Sequence, residues 1–148
     1  MNIFEAPSAW EIEDLKSTND WCFEIDESDG ILLRDSIKSL FEQDRDLFSY
    51  SPNEFNFGSS WEHIEKAVAE AHHGKGISIV RGLPREDLSQ DEFRLLSWAI
   101  GLKAGVARPQ GLASQYISAV QDAGTDYRAA NGRGYSSNAE LDFHVDVA

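Results

Sequence analysis

From Gly76 to Pro84 the chain runs Ile77, Ser78, Ile79, Val80, Arg81, Gly82 and Leu83, an apolar, β-branched stretch closed at both ends by residues that interrupt regular structure. Such a run predicts a buried strand. Helical patterns lie on both sides of it, so the chain has to lay helices against a sheet. The glycines of Gly74-Lys75-Gly76 do not make a phosphate loop, because the GxxxxGK[ST] spacing is absent and they lie between a helix and a strand rather than the reverse.

Upstream of this strand, Ser59 followed by Glu62 predicts a capping box. Trp61, Ile64, Val68 and Ala71 then share one face of a helix that stops at Gly74. Downstream, Ser89 and Glu92 predict a second box, opening a helix through Phe93, Leu96 and Ile100 that Gly101 closes. Earlier in the chain, the alternation of Trp21, Phe23 and Ile25 predicts a short strand. From Ile31 to about Phe48, Leu33, Ile37, Leu40, Phe41 and Leu47 keep helical spacing up to Ser51-Pro52-Asn53.

After a loop from Gly105 to Gln110, Tyr116 to Val120 reads as a strand, Gln121 to Gly134 as loop, and Ala139 to Val145 as a last strand. The order is strand, two helices, strand, helix, strand, strand, which is an α+β chain without repeats. The organisation expected is an acidic lead-in over residues 1–57 and a second part over 58–148.

Charge separates the same two parts. Residues 1–57 hold 14 acidic against 4 basic residues, and residues 58–148 hold 12 against 9. A surface of that sign repels a phosphate backbone, which argues against nucleic-acid binding. No apolar run approaches the roughly 18 to 20 residues of a membrane span, and the first ten residues lack a signal peptide's basic and apolar blocks. One cysteine, Cys22, permits no internal disulfide and no thiolate cluster. The expected location is the cytoplasm.

In the last strand, Leu141-Asp142-Phe143-His144-Val145-Asp146 places His144 and Asp146 on one face, where both could reach a single ion. The tripeptide alone is weak: with 4 His and 13 Asp, chance gives about 0.35 His-x-Asp matches in a chain of this length. His63-Ile64-Glu65 has the same spacing on a helix, where residues two apart do not face each other. His72 and His73 end the second helix and, being adjacent, diverge.

Four segments taken together say more: Gly74 to Pro84, Leu88 to Phe93, Pro109-Gln110, and Gly134 to Asp146. In order and spacing they resemble the first half of the taurine dioxygenase-like (clavaminate synthase-like) family of Fe(II)- and 2-oxoglutarate-dependent oxygenases. The resemblance lies over about the second half of the chain. It implies the N-terminal portion of a double-stranded β-helix, or jelly roll, with packing helices. It also implies that His144 and Asp146 are the first two ligands of a two-His-one-carboxylate iron site, a face that leaves positions for 2-oxoglutarate and then O₂.

The implied reaction hydroxylates a small, polar substrate as 2-oxoglutarate is decarboxylated to succinate. Gln110 and Tyr135 match positions near that family's active-site mouth, although by themselves they read more readily as loop and core structure. Glu140 and Asp142 share the parity of His144, where they could support the ligand or face solvent. The family's second His and its 2-oxoglutarate-binding Arg follow the carboxylate, and no His or Arg follows Asp146 here. Arg108, Arg128 and Arg133 precede it. The chain is therefore expected to be a fragment that binds iron poorly and does not turn over alone. The alternative is a non-catalytic binding domain derived from the same fold. A zinc hydrolase built on His144, Asp146 and His72 or His73 lacks an activating Glu beside paired His ligands.

Overall fold

A computed structural model describes residues 6–109, 115–118, 120, 122, 124 and 138 of the 148. The chain divides into two compact units, residues 1–107 and 108–148. In the first, two short strands, β1 (Cys22–Glu24) and β2 (Ile79–Arg81), are joined by a crossover through helices α1 (Glu27–Leu40) and α2 (Ser60–His73), and α3 (Gln90–Ala104) follows. The strands pair in parallel, Cys22 with Ile79, Phe23 with Val80 and Glu24 with Arg81. Single 3₁₀ turns occupy Ile12–Leu15, Leu47–Ser49 and Pro52–Glu54.

α1 begins four residues before the apolar pattern does, because Asp26 caps it: its carboxylate accepts the Asp29 amide at 2.8 Å. Glu27 and Asp29 in the first turn add favourable charge at the positive end of the helix. The helix ends at Leu40 rather than near Phe48. Phe41 turns extended (φ −65°, ψ 127°), and the Glu42 amide donates to the Tyr50 hydroxyl at 3.0 Å. Leu47 and Phe48 belong to a separate turn started by Asp46, whose carboxylate accepts the Phe48 amide. Phe48 is exposed over much of its surface but packs edge-on against the buried Trp98, with ring centres 5.2 Å apart.

The two capping boxes expected at α2 and α3 come out differently. At α3, Ser89 Oγ accepts the Glu92 amide at 3.3 Å and Glu92 Oε2 accepts the Ser89 amide at 2.7 Å, a complete box. At α2 there is none. Ser59 has helical dihedrals (φ −65°, ψ −25°) and makes no capping bond. Its hydroxyl donates instead to the Asp29 carboxylate, while Ser60 Oγ donates to the Asp29 carbonyl at 3.2 Å. The start of α2 is thus tied to the start of α1. α2 does end at Gly74, but its buried face is Ser60, Ile64 and Ala67, and Ala71 is exposed. α3 runs past Gly101 to Ala104, with Gly105 as its C-cap.

The run from Gly76 to Pro84 yields a strand of only three residues, and it is not buried on both sides. Phe23 shares a groove with Lys66, Ala69 and Glu70 of α2, so Phe23 and Val80 face that helix. Glu24, Ile79 and Arg81 lie on the opposite face and are exposed. The core lies between the helices: Leu33 and Ile37 of α1, Ile64 and Ala67 of α2, and Leu95, Leu96 and Ala99 of α3, with Ile25, Tyr50, Phe55 and Phe57 from the connections. In the second unit, Tyr116 to Ser118 and Val120 are not in a strand, and the rest of the strand expected there is outside the described residues.

Three carboxylates do structural work in their charged form. The Asp29 amide and then the Ser28 hydroxyl hold Asp26 below the usual carboxylate range. The Ser51 amide and then Arg45 do the same for Glu54, and the Ser89 amide and then its hydroxyl for Glu92. Lowered folded values mean that the folded state holds its protons less tightly than the unfolded one. Their stabilisation is complete above the ordinary carboxylate range of about pH 4 and fades as pH falls through the lowered values. Urea midpoints should therefore drop steeply below about pH 4, and less steeply in Glu92→Gln. Equal slopes in the two proteins would remove Glu92 from this account.

Candidate functional site

The expected ligands His144 and Asp146, and with them Gln110, Tyr135, Glu140 and Asp142, lie outside the described residues. The approach to them is described as far as Pro109: after α3, Gly105 to Pro109 form no regular structure, as expected of that loop, with Arg108 and Pro109 exposed. Among the described residues, no group of three or more His, Cys, Asp or Glu side chains could hold a metal ion. His72 and His73 are both exposed at the end of α2, their rings 6.0 Å apart.

Two concavities in the first unit were not legible in the sequence. One is an open groove at the C-terminal end of α2, between Asn19, Asp20 and Phe23 on one side and Lys66, Glu70, His73 and Lys75 on the other. Its wall is the turn after α2. The Glu70 carbonyl accepts the Gly74 amide at 2.9 Å, and its carboxylate accepts the Lys75 amide at 2.8 Å. Trp10 Nε1 donates to the Lys75 carbonyl at 2.8 Å, and Lys75 Nζ stands 3.8 Å from Asp20. The carboxylate nearest the helix end is thus occupied by the backbone, and the lysine is drawn toward a carboxylate. These groups shape a turn.

The other is a hollow of about 220 Å³ bounded by Gln43, Arg45, Leu47, Tyr50, Arg94 and Leu95 among others. Two guanidinium groups would suit an anion, but each already has a carboxylate. Arg45 lies over the Tyr50 ring at 3.7 Å and grips Glu54 with Nη2 at 2.8 and 3.0 Å. Arg94 is 3.6 Å from Asp91. Arg45 and Glu54 are nine residues apart across a 3₁₀ turn, a spacing that no periodic pattern flags.

No family model matches the chain. It is 22% identical over 141 residues to FR-33289 synthase of Streptomyces rubellomurinus, a match that takes in 95% of this chain and 42% of that protein. The chain therefore spans less than half the length of that curated relative. The similarity is not confined to the second half of the chain and takes in most of the acidic N-terminal third.

Proposed function

We propose that the chain is the part of an Fe(II)- and 2-oxoglutarate-dependent oxygenase that carries the first two iron ligands, His144 and Asp146. On this reading the whole enzyme hydroxylates a small, polar substrate. The observation that carries it is the similarity to a synthase along 141 residues, 95% of this chain, beside the four segments that resemble the taurine dioxygenase-like family. A jelly roll begun by the last expected strand belongs to the same proposal, as do a cytoplasmic location and a place for Gln110 and Tyr135 near the substrate. Among the described residues no helix is long and apolar enough to cross a membrane.

The donor set suits the metal. A neutral imidazole nitrogen from His144 and an anionic oxygen from Asp146 are two of the three groups of a facial triad, and one strand would fix both. With 2-oxoglutarate and O₂, bound iron would supply the oxidising power for hydroxylation. The protein's contribution is to hold the ion on one face and leave the other for co-substrate and oxygen.

Anaerobic titration with Fe(II), followed by metal analysis of the desalted protein, tests this. The 148-residue chain should bind one Fe(II) weakly, and His144→Ala or Asp146→Ala should each weaken binding by at least about tenfold, since even an outer-shell partner is worth that much. With 2-oxoglutarate and air, the chain alone should form no succinate. Iron binding indifferent to both substitutions would defeat the proposal and favour a non-catalytic domain.

A further inference from the structure

The extension of α3 beyond Gly101 needs a cause. Glycine inside a helix is unfavourable, and the last turn offers little to hold it: Gly101, Lys103 and Ala104 are exposed and Leu102 is half-buried. The turn nevertheless closes, with the Gly105 amide donating to the Gly101 carbonyl at 3.0 Å. Lys103 supplies the missing anchor. Its ammonium lies 4.7 Å from the centre of the Trp61 ring and 5.3 Å from that of Phe57. These rings pack on each other at 5.3 Å, and Phe57 is buried, so the cation meets a fixed aromatic corner at the start of α2.

We propose that Lys103 is a latch that keeps the last turn of α3 wound, and that releasing it unwinds the helix back to Gly101. The consequence is conformational. With the latch closed, the irregular stretch leading to Pro109 is Gly105–Pro109; with it open, that stretch begins at Gly101 and is four residues longer. The charge on Lys103 and the faces of the two rings therefore set the length of the connector that precedes Gln110.

Lys103 also sits where a helix C-terminus favours any cation, so the test has to separate rings from dipole. Amide hydrogen exchange on the 148-residue chain reads the last turn directly. In Lys103→Met, protection of residues 102–105 should fall about two- to five-fold, the factor expected of an exposed cation–π contact. Lys103→Arg, which keeps a cation able to stack, should retain it. Trp61→Leu should lower it as Lys103→Met does, and the double variant should fall no further than either single one. Unchanged protection in Lys103→Met would overturn the latch. So would loss in Lys103→Met with full protection in Trp61→Leu, which would assign the effect to the dipole. Protection in α1 reports that each variant is folded.

Discussion

Gly82→Ala should be among the most damaging single-atom changes in this chain. Gly82 follows β2 directly and has φ +83°, a backbone conformation that L side chains rarely adopt. A methyl group there would stand 2.1 Å from the Ile25 carbonyl oxygen, far inside contact distance. That carbonyl cannot retreat cheaply, because the Ile25 amide donates to the Arg81 carbonyl at 3.0 Å and the Ile25 side chain is 2% exposed. On the other side, the Gly82 carbonyl lies 3.1 Å from where a Cβ on Gly30 would be, so α1 closes the space. Left-handed strain of about 1–3 kcal/mol adds to the displacement of the strand pair, and a total loss of more than about 3 kcal/mol is expected. A urea midpoint within experimental error of the parent would show that the strand end can shift.

Leu95→Ala is expected to cost about 2–5 kcal/mol, because the side chain is completely buried between helices and its removal leaves a cavity that the surroundings only partly fill. Leu32→Ala is the matched control. Leu32 also sits on a helix but is 62% exposed, so the same truncation should cost no more than about 0.5 kcal/mol. Denaturant midpoints at constant slope would measure both. Similar losses in the two variants would mean that α1 buries Leu32 against something that these contacts do not include.

What could be read from the sequence follows the distance over which each signal acts. Ser89 and Glu92 satisfy each other within one turn, so the start of α3 is legible from four letters. Ser59 and Glu62 spell the same pattern, but Asp29, thirty residues earlier, takes the Ser59 hydroxyl, and no local rule contains that competitor. The ends of α1 and α3 differ from the apolar pattern for related reasons. Tyr50 receives the Glu42 amide just past Leu40, where the apolar spacing continues, and Lys103, beyond the glycine that reads as a stop, meets Trp61 of α2 and Phe57 of the connection before it. The short strand at Trp21 to Ile25 is legible by alternation, whereas its parallel partner could not be named. As for the candidate site, His144 and Asp146 are singled out by the four segments taken together and not by their spacing alone, while the arginines of the hollow carry no sequence signal.

The parallel pairing of β1 and β2 also fixes an order of events during synthesis. Cys22 and Ile79 are 57 positions apart, and everything between them is the crossover. Closing so long a loop is entropically costly and is repaid only when the second strand docks, which slows folding relative to local helix formation. While the chain is emerging, α1 and α2 can wind early, but β1 has to wait unpaired until Arg81 and Gly82 have cleared the ribosome. Until then the apolar face of Trp21, Phe23 and Ile25 lacks the strand that pairs beside it.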